Sequence, residues 1–192
     1  MSKRPVVLVV MDGVGISDSE FGNAVKKAYK PTLDDLWENS PHTEIKAHGL
    51  AVGLPTDDDM GNSEVGHNAL GCGQIYSQGA KLVNENIETG EIFKTDTWSG
   101  LVNNCKDGKM HFLGLLSDGN VHSHINHLKA LIKKAKEDGV KEVRVHALLD
   151  GRDVPETSAL TYVDDIEAYM AELNDDSFHA CIASGGGRMT IT

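Results

Sequence analysis

The residues with the clearest chemical potential are Gly61 to His67, GNSEVGH, which follow an acidic run at Asp57, Asp58 and Asp59. A serine framed by glycines, a glutamate and a histidine, placed where an apolar pattern resumes, has two compatible readings. Asn62 or Ser63 can cap the first turn of a helix. Ser63 can also act as a nucleophile, because a helix N-terminus carries free N–H groups and favours the negative charge of a phosphorylated serine. Glu64 fits a first-turn acid supporting the helix dipole, and His67 fits a surface or packing residue. Asp12, at the end of the apolar run PVVLVVM, can offer a carboxylate to a hard divalent cation. Coupled with Ser63 it suggests a metal-activated hydroxyl, since a cation lowers the pKa of a hydroxyl and neutralises a phosphoryl oxygen.

Two further groups carry chemistry. SDGNVHSHINH places His122, His124 and His127 around one expected helix start. The pair His124 and His127 lacks a carboxylate or cysteine at ligand spacing. His122, ahead of the helix and near Asp118 in sequence, is therefore the one expected to face a ligand. In LLDGRDVPETS, Arg152 offers a planar bidentate grip on phosphate or carboxylate, and Asp153 can move a proton from a hydroxyl; the competing reading is a salt-bridged loop. Arg188, behind Gly185, Gly186 and Gly187, offers a further anion grip. Cys72 in GCG reads as a small packed residue.

Positioning these groups requires α/β architecture, because apolar runs alternate with amphipathic ones. Strands are expected at PVVLVVM (5–11), TEIKA, MHFLGLLS, EVRVHALL and FHACIAS. Helices are expected at PTLDDLWENS, from Ser63 to about Leu70, at AKLVNENI, around TWSGLVNNC, at HINHLKALIKKAKEDG with Gly139 as its stop, and near ALTYVDDIEAYMAEL. Residues 73–79, GQIYSQG, read as a crossing between two regions. Three expected strands run into Asp12-Gly13, Asp118-Gly119 and Asp150-Gly151-Arg152-Asp153. Ligands of open α/β sheets gather at the carboxyl ends of strands, so polar chemistry is expected to cluster there. A single Asp-Gly is equally a good turn; three at successive strand ends favour function. The terminal MTIT renews a β pattern, and an ending on a glycine loop and a fresh strand suggests that the chain is cut short.

A formal net charge of -11 over 192 residues argues against nucleic acid or an anionic membrane as the main partner. It leaves room for an anionic small substrate held by a few arginines. No apolar run is long enough to span a bilayer, and no signal peptide is evident. Three cysteines, Cys72, Cys105 and Cys181, without paired spacing suit a reducing cytoplasm.

Taken in order, VVMDGVGI, DDDMGNSEVGHNALGCGQIY, QGAKLVNENIETGEIF, GLLSDGNVHSHINHL and LLDGRDVPETSA closely resemble the cofactor-independent phosphoglycerate mutase family, within the alkaline phosphatase superfamily. The resemblance implies an alkaline-phosphatase-like sheet with helices on both faces and an inserted α/β transferase domain, both incomplete here. Residues 1–76 would begin the phosphatase-like metal-binding domain, residues 77–192 would begin the insert, and the C-terminal remainder would be absent. It implies interconversion of 3-phosphoglycerate and 2-phosphoglycerate, without 2,3-bisphosphoglycerate, through a phosphoserine on Ser63. Asp12 and Ser63 match ligands of one of two Mn2+ or Mg2+ ions. His122, Arg152, Asp153 and Arg188 match substrate-binding positions, with Asp153 managing the glycerate protons. Keeping glycerate bound makes phosphate return intramolecular, which explains an enclosing second domain.

The family's remaining metal ligands and further substrate arginines have no counterpart in these 192 residues. The expectation is a cytoplasmic, monomeric parent enzyme and a piece that is inactive by itself and self-associates through apolar edges. Another superfamily member, such as a phosphopentomutase or phosphatase, and a non-catalytic ligand-binding module are the competing readings. HSH with DGRD argues against the first, since a simple phosphatase need not hold the dephosphorylated alcohol.

Overall fold

A computed structural model describes residues 4–11 and 13–191. The chain divides into two compact units between Ile45 and Lys46. The first contains helices α1 (Ala24–Lys27) and α2 (Pro31–Asn39). Asn23 caps α1 by accepting the Lys26 N–H, and Pro31, whose ring presets a helical φ, opens α2. Trp37 stacks on His42 with ring centroids 4.3 Å apart. Residues 5–11, expected as a buried strand, are not one: Val6, Val7 and Leu8 are 94, 80 and 80 % exposed. Strand hydrogen bonds need a neighbouring strand, and none of the described residues pairs with this run. The same holds for TEIKA, which has no regular structure and leaves Ile45 exposed.

The second unit runs α3 (Ser63–Cys72), α4 (Ala80–Glu88), α5 (Asp96–Asn104), β1 (Met110–Leu116), α6 (Ile125–Glu137), β2 (Glu142–Leu149), α7 (Ala159–Leu173), β3 (His179–Gly187) and α8 (Arg188–Ile191). Its sheet is parallel in the order β1-β2-β3. Parallel neighbours require crossovers, which α6 and α7 supply. Because the strands advance in one direction with crossovers of one hand, both helices belong on one face. The core shows this: Ile132 and Ala135 of α6 and Ile166 and Met170 of α7 join Met110, Val143, Val145, Ala147 and Ala180 of the strands in one buried cluster. Trp98 of α5 closes the cluster, and its indole N–H donates to Asp138 at 2.7 Å. The alternate residues His111, Leu113, Arg144, His146 and Ser184 belong to the other face, where Leu113 is 74 % exposed.

The expected helices and the last three expected strands form close to their sequence bounds. His124, rather than an interior residue, is the N-cap of α6, accepting the Asn126 N–H, and Gly139 follows its end at φ 88°. The exception is the terminus: residues 188–191 are helical where a β pattern was expected. The ladder pairs Gly187 with Leu149, the last residue of β2, so among the described residues no strand remains for residues 188–191 to pair with.

Candidate functional site

The carboxyl ends of β1, β2 and β3 meet at Asp150. Its side chain is 1 % exposed, and its Oδ1 accepts the backbone N–H groups of Gly151, Arg152 and Asp153 at 2.8, 3.0 and 3.2 Å. Its Oδ2 accepts the hydroxyl of Ser117, the residue after β1, at 2.7 Å. Arg188, just past β3, donates through Nη1 to Asp150 at 3.1 Å and to Asp153 at 2.7 Å. Burial by itself would push the Asp150 carboxyl up; the Ser117 hydroxyl and the three backbone N–H groups outweigh it and hold the carboxyl well below its usual range. Asp153 first and then Asp150 strengthen the proton affinity of Arg188. Two carboxylates on one guanidinium leave the trio with one net negative charge. An incoming phosphate or carboxylate therefore has to share the arginine's donors with Asp153.

Gly119 locks the β1 loop onto this cluster. A Cβ added there would sit 2.8 Å from the Cβ of Asp153 and 3.2 Å from its carbonyl oxygen, so only a glycine allows the approach. The structure thus joins Asp153 and Arg188 directly and brings two of the three expected strand ends together. Arg152 contributes its backbone N–H to Asp150 while its side chain is exposed, and His122 is exposed on the β1 loop. Asp12, expected as a metal ligand, lies outside the described residues.

Ser63 is the first residue of α3 and is exposed. Asn62 is the N-cap, accepting the Val65 N–H at 3.1 Å, so capping falls to its neighbour and leaves the Ser63 hydroxyl uncommitted to that role. His67 donates from Nδ1 to the Ser63 carbonyl at 2.6 Å, stapling the first turn rather than serving the hydroxyl. Gln78, buried at 6 % exposure, donates to the carbonyls of Val52 and Val65 at 2.7 and 3.0 Å and accepts from Asn68. It ties α3 to the Val52, Leu54 and Val65 cluster. Gly61 is obligatory, since a Cβ there would fall 2.2 Å from the Ala47 carbonyl oxygen. Cys72, expected to be packed, is exposed at the end of this helix.

A polar cleft of about 480 Å³ lies between the 55–59 segment, α4 and the start of α6, lined among others by Asp59, Asn84, Asp118, Asn120, His124 and His127. Asn120, at φ 59°, donates to Asp59. Burial raises the Asp59 carboxyl, but the hydrogen bonds from Asn120 and Thr56 win and lower it. His127 Nε2 donates to Asn84 at 2.5 Å, and burial followed by His124 lowers its proton affinity. Both helix histidines are thus engaged in capping and packing. Among the described residues no group of three His, Cys, Asp or Glu side chains is arranged to hold a metal ion.

Sequence marks Asp150 only as part of a strand end, not as the buried centre of this cluster, and does not mark Ser117 or Gln78 at all. Asp150 opens DGRD directly after an apolar strand, which is a signal, but a carboxylate before glycine is also an ordinary turn former. Nothing in SDG or YSQG marks Ser117 or Gln78 as buried.

A profile of the family described as BPG-independent PGAM N-terminus matches residues 83–192. A probable 2,3-bisphosphoglycerate-independent phosphoglycerate mutase of Leptospira interrogans is 53 % identical over 193 residues, covering 98 % of this chain and 35 % of its own. The enzyme of that name from Trypanosoma brucei brucei is 48 % identical over 195 residues, covering 100 % and 35 %. A crystal structure of Leishmania mexicana phosphoglycerate mutase at low cobalt concentration superposes with a TM-score of 0.83 at 47 % identity, covering 95 % of this chain and 34 % of that one. The chain spans about a third of the length of the relatives it matches.

Proposed function

The chain belongs to the 2,3-bisphosphoglycerate-independent phosphoglycerate mutase family, and from that premise we propose that it serves the interconversion of 3-phosphoglycerate and 2-phosphoglycerate. The observation that carries this reading is the alignment of nearly the whole chain, at about half identity, with proteins of that name. In the proposal Ser63 attacks the phosphoryl group and becomes phosphoserine, and the phosphate returns to the other hydroxyl of the retained glycerate. The exposed position of Ser63 as the first residue of a ten-residue helix supports this, because the free N–H groups there favour the added charge. Asp153 takes and returns the glycerate hydroxyl proton, and Arg188, Arg152 and His122 bind the substrate, the arginines suited to its carboxylate and phosphate.

Asp12 and Ser63 would hold one of two divalent ions, Mn2+ or Mg2+. Their oxygen donors suit hard cations, and the cobalt conditions of the Leishmania mexicana structure support a divalent requirement. Bound there, the ion would lower the hydroxyl pKa and offset phosphoryl charge. The described residues contain no further cluster of ligands, so the set would be completed by residues other than those described. Residues 1–76 are assigned to the metal-binding domain and residues 77–192 to the substrate-binding insert; the profile match over 83–192 supports the second. The three free cysteines support a cytoplasmic setting, and among the described residues no helix is long and apolar enough to cross a membrane. The parent is proposed to work as a monomer.

The test is an enolase-coupled assay on the complete gene product with Mn2+ and 3-phosphoglycerate but no 2,3-bisphosphoglycerate. Turnover that is lost in Ser63→Ala is the expected result. Turnover unaffected by Ser63→Ala, or release of inorganic phosphate without 2-phosphoglycerate, overturns the reading.

A further inference from the structure

Asp150 is walled off from any substrate. Its side chain is 1 % exposed, its Oδ1 accepts three backbone N–H groups and Arg188, and its Oδ2 accepts the Ser117 hydroxyl. Burial pushes this carboxyl up, but the Ser117 hydroxyl and the backbone N–H groups prevail and keep it an anion near neutral pH. Asp153 is less enclosed, at 11 % exposure, and its Oδ2 accepts from the same Nη1 of Arg188, at 2.7 Å against 3.1 Å for Asp150. One guanidinium nitrogen therefore serves two carboxylates, and the proposed chemistry uses only Asp153.

We propose that Asp150 is a positioning residue that holds Arg188 in place while Asp153 takes the glycerate proton, and that with Ser117 it governs how long the dephosphorylated glycerate is retained. This rests on the mutase reading above. As Asp153 takes up a proton it loses its negative charge, and its contact with Arg188 weakens from a charge-assisted pair to an ordinary hydrogen bond, about half as strong. Asp150 receives no proton from the substrate, so its pull on Arg188 persists through that step and the guanidinium stays facing the glycerate. Ser117 fixes the anchor itself: its hydroxyl donates to Asp150 Oδ2 at 2.7 Å and accepts the Gly119 N–H at 3.4 Å. Gly119 is the residue that backs onto the Asp153 side chain, so one hydroxyl orients Asp150 and steadies the loop behind Asp153.

The consequence falls on the phosphoserine stage, which has two fates. The other hydroxyl of the retained glycerate attacks phosphorus, the bond to Ser63 Oγ breaks, and 2-phosphoglycerate forms. Alternatively glycerate leaves and water attacks phosphorus; the same bond breaks, Ser63 Oγ regains a proton, and inorganic phosphate is released. Water is always at hand, so the division between these fates reports how firmly Arg188 and Asp153 keep glycerate placed. Loosening the anchor favours phosphate release. Partial unfolding of a variant lowers both products alike and leaves their ratio unchanged.

The experiment uses the complete gene product with Mn2+ and 3-phosphoglycerate, and measures inorganic phosphate and enolase-coupled 2-phosphoglycerate formation in the same reaction. Asp150→Asn keeps a carbonyl oxygen for the backbone N–H groups and removes the charge; the ratio of phosphate to 2-phosphoglycerate is expected to rise about 10-fold over wild type. Ser117→Ala removes one hydroxyl and leaves the charge, and a rise of about threefold is expected. Should Asp150→Asn not fold, the Ser117→Ala ratio decides by itself. A ratio within about twofold of wild type in Asp150→Asn, or in Ser117→Ala where that variant decides, would overturn the inference however far turnover falls. Wild-type enzyme that forms no 2-phosphoglycerate would overturn the mutase reading and this inference with it, whereas normal wild-type turnover with an unmoved ratio in the variants overturns this inference alone.

Discussion

Replacing Asp150 is the sharpest test of how the strand ends are held together. Its carboxylate is 1 % exposed and accepts from three backbone N–H groups, one hydroxyl and one guanidinium. In Asp150→Ala all of these donors lose a buried acceptor, and removing one member of a buried charged network costs about 3–5 kcal/mol. Arg188 keeps Asp153 as a partner, which sets the expectation inside that range rather than beyond it. Asp150→Asn preserves shape and one carbonyl oxygen for the backbone N–H groups but loses the charge. Charged hydrogen bonds are worth roughly 1 kcal/mol more than neutral ones, and the contacts are not additive, so about 2–3 kcal/mol is expected. Urea unfolding followed by Trp98 fluorescence, in a Trp37→Phe background that silences the first unit, measures both. The sign with pH follows from the depressed carboxyl: its stabilisation is fully present above the unfolded pKa of about 3.9 and is lost as pH falls toward the lower folded value. The stability gap between wild type and Asp150→Asn should therefore shrink as pH is taken from 6 down toward 3. A cost below about 1 kcal/mol for Asp150→Ala, or a gap that widens on acidification, would refute this account.

Gly61→Ala should unseat the loop before α3, because the added Cβ would fall 2.2 Å from the Ala47 carbonyl oxygen; amide exchange at Val65 and Gly66 should rise at least 10-fold, and unchanged exchange would contradict the close approach. His127 should titrate by NMR below its ordinary 6.5, since burial and then His124 disfavour its charge, and Asn84→Ala should leave that direction intact. Its contribution to stability is present above pH 6.5 and falls as pH drops toward the lower folded value; a midpoint above 6.5 would refute this.

Much of the second unit was legible because its signals are local. The 3.6-residue spacing of Ile125, Leu128, Leu131, Ile132 and Ala135 defines α6, and Gly139 ends it, without reference to anything outside the segment. GNSEVGH is legible for the same reason: Asn62 meets the Val65 N–H three residues on, so the helix start that presents Ser63 is written in adjacent residues. The runs EVRVHALL and MHFLGLLS are strands by composition, and the helices between them require a parallel order. Residues 5–11 show where composition stops. The run is as apolar as a buried strand, yet strand structure is a property of a pair, and no described residue partners it.

Contacts between residues more than 30 positions apart were decided by tertiary structure alone. Asp150 looks like a turn former until Ser117 and Arg188 arrive from 33 and 38 residues away to use its second oxygen and share its first. His111 and His146 are unrelated in sequence and touch only because parallel pairing sets their strands in one register. Ser184 reaches His146 only through a one-residue slip that no periodicity encodes. Capping and helical spacing act over three or four residues, so a sequence displays them. Register and the convergence of loops arise when the core of α6, α7 and the three strands closes, and only the folded chain displays those.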